Sequence, residues 1–481
     1  MKRYLLLLLL LSQIQEIAAQ QQDSISTGPL TLEECIQYAL ENSLTIKNSS
    51  IDENIAKARV KETRGIGLPQ VDANLSVQHN VKLQRFYNRA DVLGQFTGAT
   101  IEDLPSDAIV AGSNPFQLKS TGIGTLTVSQ ILFNGSYLVG LRAANAYKDL
   151  SVKASRQTRE EVIVQVTKAY YTALINNERM TLFDNNIGRV DSLLRTTRAL
   201  HENGFAESID VDRIRVTLNN LKTERENFNN LQVLSIELLK FQMNYPMDKD
   251  LELEGDINSI AIPESSAAYD AEWDYSNRAD YQVLMANRKM QMLNVKNNYA
   301  AGLPSLVAQY NYGYFTQSPD LAGVFRTETP SSSSFNNMLG PDKWYSYSNF
   351  SVSLAIPIFS GLQRSYKVQQ AKLELKKVEN NLNSLKSGID LEIKQSKTIY
   401  DNSLKTLVSQ RENLELAENV ARVTKIKYEE GVGSNIEVID AESALKETQI
   451  NYYNALYDAL VAKVDLDKAY GKLNNLSSET K

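Results

Sequence analysis

The chain has 481 residues, 42% hydrophobic and 22% charged, and its 51 Lys and Arg against 57 Asp and Glu leave a net charge of −6. That mildly acidic balance, with no Lys or Arg tract, excludes an electrostatic nucleic-acid binder. A single cysteine, Cys35, and two histidines, His79 and His201, leave no material for an internal disulfide or a cysteine zinc site and little for a His metal centre or a nucleophilic triad, so neither enzyme chemistry, cofactor nor metal is expected.

Lys2 and Arg3 precede an apolar run at 5–11, and Ile17-Ala18-Ala19 offers a small-residue cleavage point, so residues 1–19 read as a secretory signal peptide. No other stretch approaches the ~20 apolar residues of a spanning helix, and the mean hydropathy is −0.33. If the exported chain crosses a membrane, it does so with strands. Thr31-x-x-Glu34 is a capping box for the first helix, with Leu30 and Cys35 placed as a hydrophobic staple. Cys35 then reads as a buried small residue.

Four segments alternate apolar and polar residues with period two, as half-buried strands do. Val71, Ala73, Leu75, Val77 and Val81 open the series, with Leu126 and Val128 in the second segment. Leu306, Ala308, Tyr310, Tyr312 and Tyr314 follow, then Phe350, Val352, Leu354, Ile356 and Ile358. An ordinary soluble sheet and a membrane barrel both fit such strands. The runs 103–112 and 331–334 read as polar outer loops, and the Tyr and Trp of 344–347 as a membrane-interface or loop cluster.

Proline is absent from 116–245 and 358–481, where glycine is also sparse, so long helices can run there. Between Gly135 and Gly204 the composition suits one helix of roughly 100 Å, too long for a compact globule. Beyond Gly204, the residues Val211, Ile214, Leu218, Leu221 and Phe228 form a heptad-type seam, with Arg225 at the skipped position. Beyond Gly433, a second seam runs through Val438, Ala441, Leu445, Thr448, Tyr452, Ala455 and Ala459. Small and polar seam residues predict extensive lateral packing of helices.

The halves of the chain match. Gly67-Leu68-Pro69 recurs as Gly302-Leu303-Pro304, an offset of 235, and Phe133-Asn134-Gly135 recurs as Phe359-Ser360-Gly361, an offset of 226. Gly204, Ile209 and Leu218 recur as Gly431, Ile436 and Leu445, an offset of 227. The reading is a first repeat at 20–245, a linker at 246–276, a second repeat at 277–470 and a tail at 471–481. Each repeat runs helix, strand, loop of about 40 residues, strand, long helix, returning helix. Four amphipathic strands cannot close a spanning barrel alone, so copies must share the wall, two for eight strands or three for twelve.

With these residues the chain resembles the TolC family of outer-membrane channel proteins over about 30–470. The resemblance rests on the duplicated Gly-Leu-Pro starts, the two Phe-x-Gly junctions, and Tyr428-x-x-Gly431 followed by Ile436-Glu437-Val438-Ile439-Asp440-Ala441. It also rests on Thr31-Leu32-Glu33-Glu34-Cys35 leading to Ala39-Leu40-Glu41-Asn42. It implies a mixed, mainly α chain that forms a homotrimer. A transmembrane β-barrel of 12 strands, four per chain, is continued by a long periplasmic α-helical barrel. The function implied is the passive exit duct of a tripartite efflux or type I secretion system in a Gram-negative outer membrane, in contact with outer-membrane lipid. The implied partners are a periplasmic adaptor (membrane fusion protein) and an inner-membrane RND or ABC pump. The alternative class is an exported coiled-coil adaptor or tether without a pore.

The resemblance also places a periplasmic gate. Glu437 and Asp440 fall on the family's acidic-ring positions, and i, i+3 spacing puts both on one helix face. Three copies would bring six carboxylates to one axis, a field that favours cations. Ser434-x-x-Glu437 is equally a capping box for the last helix. Asp210 matches Glu437 in the first repeat and fits the acidic partner of the family's closing lock; Arg213 stands at the counterpart of Asp440, and the lock's basic position falls on Gly433. Gly204, Gly431 and Gly433 read as tight turns and, by resemblance, as the adaptor contact. Gly67, Pro69, Gly135, Gly302, Pro304 and Gly361 mark the strand–helix junctions.

Overall fold

The computed structural model describes residues 28–97, 105, 107–112, 114, 116–263, 265–266, 269, 273–326 and 344–473. The signal segment 1–19, the run 331–334 and most of the tail 471–481 lie outside the described residues. In chain order the elements are α1 (Leu32–Asn42), α2 (Leu44–Gly65), β1 (Gln70–His79), β2 (Phe86–Arg89), α3 (Ala90–Thr97), β3 (Ile109–Gly112), β4 (Ser120–Asn134), α4 (Gly135–Glu202) and α5 (Ser208–Met243). Then follow α6 (Ala279–Ala300), β5 (Ser305–Ser318), β6 (Tyr345–Ala355), α7 (Gln363–Glu429) and α8 (Asn435–Ala469). The two proline-free intervals hold the two longest helices, α4 with 68 residues and α7 with 67.

The chain divides into two units, each with its own packing. One comprises Glu53–Ser151 and Met285–Asn381 and carries the strands. Its main sheet has the order β1-β4-β5-β6, antiparallel throughout, so β1 and β6 are its edges. The register fixes the faces. Val71, Val128, Tyr310 and Phe350 stand side by side on one face, as do Ala73, Leu126 and Tyr312. The other face carries a polar ladder across three strands. Thr127 Oγ1 donates to Asn311 Oδ1 at 2.7 Å, and Asn311 Nδ2 donates to Asn349 Oδ1 at 2.8 Å. The apolar face is uncovered over most of its length: Leu75 is 75% exposed and Phe350 69%.

The strand ends differ from the expected alternation in three places. β1 stops at His79 and leaves Val81 outside. β6 starts at Tyr345 and stops at Ala355, so Tyr345 to Tyr347 are strand, not loop. Pro357 lacks the N–H that would continue the ladder. The expected loop 103–112 contains β3, which pairs with β2 from Phe86↔Gly112 to Arg89↔Ile109. The second connection spans only 319–344, well short of the first at 80–119.

The junctions follow one plan. Gly67 N–H donates to Arg64 O and Leu68 N–H to Gly65 O; Gly302 N–H donates to Tyr299 O and Leu303 N–H to Ala300 O. Pro69 and Pro304 then prevent further helix, and the strands begin one residue later. A Cβ on Gly67 would strike the Tyr137 hydroxyl, and one on Gly302 the Arg364 guanidinium. Each turn therefore seats a side chain from the start of the following long helix. At the far ends of β4 and β6, Gly135 lies against Leu303 and the Ala300 carbonyl, and Gly361 takes φ 59°. Asn134 Oδ1 caps α4 by accepting from Tyr137 N–H at 3.0 Å.

The second unit comprises Met1–Asp52, Val152–Leu284 and Leu382–Lys481. Its largest core joins α1, α4, α5 and α8 through Cys35, Ile36, Val166, Tyr170, Leu239 and Leu460. Thr31 and Glu34 exchange both capping-box bonds, and Leu30 and Cys35 are buried beside them. Burial pushes the Cys35 thiol up to about 12, leaving it a packing group. The linker is stitched in at Leu30, whose N–H donates to Glu252 O and whose carbonyl accepts from Glu254 N–H, both at 2.9 Å.

Arg278 closes this unit. Its guanidinium pairs with Asp280 and Glu392, each at 2.8 Å, and donates to the carbonyls of Lys468 and Ala469 at the end of α8. Burial pushes the Asp280 carboxyl up, but the Arg278 hydrogen bonds and charge outweigh it and hold the group below the usual carboxylate range. A depressed acid contributes stability above its unfolded pKa and loses it as pH falls through the folded value. Arg278→Ala is therefore expected to cost about 3 kcal/mol by orphaning two partly buried carboxylates. Thermal and acid melts followed by helical circular dichroism check this: the variant melts lower at neutral pH, and the gap narrows on acidification.

Candidate functional site at the paired helix turns

Two helix–turn–helix tips share one backbone solution. In the first, Phe205 N–H donates to Leu200 O at 2.8 Å and Gly204 N–H to His201 O at 2.9 Å. In the second, Val432 N–H donates to Lys427 O at 2.9 Å and Gly431 N–H to Tyr428 O at 3.0 Å. These are Schellman pairs, and they require a left-handed residue; Gly204 has φ 81° and Gly431 φ 76°. Gly433 works differently. An added Cβ would lie 3.1 Å from the Tyr428 backbone nitrogen, so close approach, not positive φ, favours glycine there. His201 sits inside the first turn, Nδ1 2.8 Å from the Ala206 carbonyl.

The returning helices start on short acidic turns. Glu207 N–H donates to Asp210 Oδ2 at 3.4 Å. Glu437 N–H donates to Ser434 Oγ at 3.3 Å, but among the described residues the Glu437 carboxylate makes no return bond, so its box is half formed. Below the turns, Phe183, Val190 and Leu193 of α4 pack with Val211, Ile214, Leu218 and Leu221 of α5, joined by Tyr428 and Val438. Arg225, at the skipped seam position, pairs with Asp184 on α4. In the second seam, Ala441 and Leu445 pack with Ala421.

The three carboxylates of the expected ring have different surroundings. Asp210 pairs with Arg213 on its own helix, Nη1 to Oδ1 3.5 Å. Glu437 and Asp440 are exposed, and among the described residues neither has an ion pair or side-chain hydrogen-bond partner. They lie off the buried stripe of Val438, Ala441 and Leu445.

What joins the two tips is a residue that pattern reading passed over. Asn435 is 6% exposed, and its Nδ2 donates to the Asp210 backbone carbonyl at 3.2 Å. Further from the tips, Arg189 Nε meets the buried Glu442 at 2.9 Å and Lys446 meets Glu224 at 3.1 Å. Glu224, Glu442 and Lys446 line a polar cavity of about 170 Å³ together with Asn220 and Ser443. The Tyr428 hydroxyl lies 2.8 Å from Thr197 Oγ1, a buried link between α4 and α7. A glutamate beside a seam position was the one available signal for the first of these pairs. Asn435 and Thr197 carry none, because their partners come from other helices.

Comparison with known proteins places this architecture. The family described as "Outer membrane efflux protein" matches residues 35–239 and 276–472. Outer membrane protein TolC of Vibrio cholerae is 21% identical over 445 residues, 92% of this chain and 91% of that protein. The probable efflux pump outer membrane protein TtgC of Pseudomonas putida is 22% identical over 325 residues, 67% of this chain and 62% of that protein. Among solved structures, CusC matches with a TM-score of 0.70 at 15% identity, over 91% of each chain. The outer membrane protein VceC of Vibrio cholerae matches with a TM-score of 0.68 at 14% identity, over 92% of this chain and 96% of that one. At those identities the structural likeness shows the fold.

Asn435→Ala is expected to loosen the tips by about 1 kcal/mol, because it removes the one hydrogen bond that Asn435 makes to the Asp210 carbonyl. Hydrogen exchange should quicken in the first turns of α5 and α8 and stay unchanged in the core around Leu239. Unaltered protection at both tips would show that this bond carries nothing.

Proposed function

This chain belongs to the outer membrane efflux protein family, and from that premise we propose that three copies build one continuous duct. The chain is an efflux component of the outer membrane that extends into the periplasm, and it is a channel subunit rather than an enzyme. The pore-free tether reading is set aside by the same match. Its place in an efflux pump implies an adaptor and an inner-membrane pump as partners; a pump of RND or ABC type supplies the energy, and conduction through the duct is passive.

One observation carries the shared wall: a sheet of four strands with a polar face, an apolar face and two open edges, β1 and β6; the count of three copies comes from the family resemblance. Lipid offers no partner to an unpaired N–H or C=O, so the edges must pair. Pairing β6 of one copy with β1 of the next closes a ring, and three copies of four strands make twelve. The Thr127–Asn311–Asn349 ladder then lines the water, and Val71, Leu126, Tyr312 and Phe350 meet lipid. The exposed apolar residues Leu234, Leu238 and Phe241 of α5, with Ile399, Val408 and Leu416 of α7, give neighbouring copies surface to pack against in a helical barrel.

On this reading, residues 1–19 are the export signal. Two repeats, 20–245 and 277–470, flank the linker 246–276, and 471–481 is a tail. Glu437 and Asp440 from three copies form the acidic ring of the periplasmic entrance, with Asp210 held aside by Arg213. The turns at Gly204, Gly431 and Gly433 present the adaptor contact.

Planar-bilayer recording tests the ring. Asp440→Ala is expected to weaken divalent-cation block and lower cation preference, and Glu437→Gln should add to it; unchanged currents in both would remove the gate role. The duct itself is tested by extraction: the mature protein should need detergent and show a three-fold lumen in electron micrographs. A detergent-free monomer without a lumen would end the proposal.

A further inference from the structure

The segment after β5 folds back onto the apolar face of the sheet. A 3₁₀ turn, Ala322–Phe325, is capped by Asp320, whose Oδ1 accepts from Gly323 N–H at 2.6 Å. Trp344, just before β6, donates its indole N–H to the Val324 carbonyl at 2.9 Å. The ring and the Val324 side chain occupy the space above Gly122: a Cβ there would lie 2.8 Å from both. Gly122 pairs with Val77 on one side and Thr316 on the other, so this seat is on the same face as Leu75, Leu126 and Tyr314. Under the turn, Ser120, Thr316, Ser318 and Val324 are at most 1% exposed.

A turn that only sealed the sheet end would bury its apolar residues. This one buries Val324 and turns Phe325 (70% exposed) and Leu321 (47% exposed) outward. Asp320 and Arg326 flank them, 3.7 Å apart. Apolar side chains bordered by charges, continuing an apolar face at its end, match the boundary between acyl chains and headgroups. We propose that Leu321, Phe325 and Trp344 form a lipid-interface anchor, set into that boundary of the outer leaflet. The inference rests on the reading that the apolar face of the sheet meets lipid.

Three single-tryptophan proteins test it in phosphatidylcholine vesicles with brominated acyl chains. The first keeps native Trp344 and carries Trp273→Phe, which costs no hydrogen bond because the Trp273 indole N–H is buried without a partner. The other two add Trp344→Phe and place the probe by Phe325→Trp or, at mid-face, by Phe350→Trp. Bromines near the ester end should quench Trp344 and the position-325 probe about twofold, and more than bromines near the methyl end do. The position-350 probe should respond most to methyl-end bromines. Quenching at 350 alone would overturn the anchor and leave the lipid-facing sheet standing, the turn then being covered by protein. No quenching at any of the three would overturn both. Stronger quenching of 325 from the methyl end would refute placement at the interface.

Discussion

A backbone N–H or C=O without a partner is costly wherever water is absent, and on the proposed duct this single constraint would govern the strand-bearing unit. Inside the sheet every strand is paired, and only the outer sides of β1 and β6 are left over. The alternation of side chains is subordinate to that ladder: it decides which face meets which solvent, not how many strands there are. The sheet has an apolar face, a polar ladder through Asn311 and two open edges, and the proposed closure by neighbouring copies uses all three.

The helical half solves a different problem. Helices as long as α4 and α7 present apolar stripes far from any compact core, and the stripes here are thin. Each is anchored at intervals: around Cys35 and Leu460, around Ile214 and Leu218, and by the aromatic group of Tyr269, Tyr400 and Tyr470. Within the second anchor, Arg225, paired with Asp184, fills a position that an ordinary seam would give to leucine, and the Arg189–Glu442 pair flanks the other seam. Polar seams specify register while contributing little net stability. That suits helices whose apolar surface is shared out among neighbours.

Much of this was legible in the residues because the punctuation is strong. Proline-free intervals gave the helices, and period-two alternation gave the four main strands. Gly204 and Gly431 announced their turns because a left-handed residue leaves so few alternatives. The sequence was silent where geometry depends on partners from distant segments. β2 and β3 stabilise each other across a connection with no clear alternation, and Tyr345 to Tyr347 joined β6 because β5 runs long enough to pair with them. At the tips, Glu437 and Asp440 could be singled out from the motif, but Asn435 matters through a carbonyl 225 residues away.

The two Gly-Leu-Pro turns look alike and hold different guests. One holds a phenol, Tyr137, and the other a guanidinium, Arg364, each so close to its glycine that an added Cβ would push it from its seat. The guest comes from the long helix and the turn is Gly-Leu-Pro in both halves, so exchanging the turns alone would alter neither pairing. What tells the two halves apart at this joint is the beginning of the long helix, so a reshuffling of the duplicated parts, by evolution or by protein engineers, transfers the difference only when it carries that beginning along.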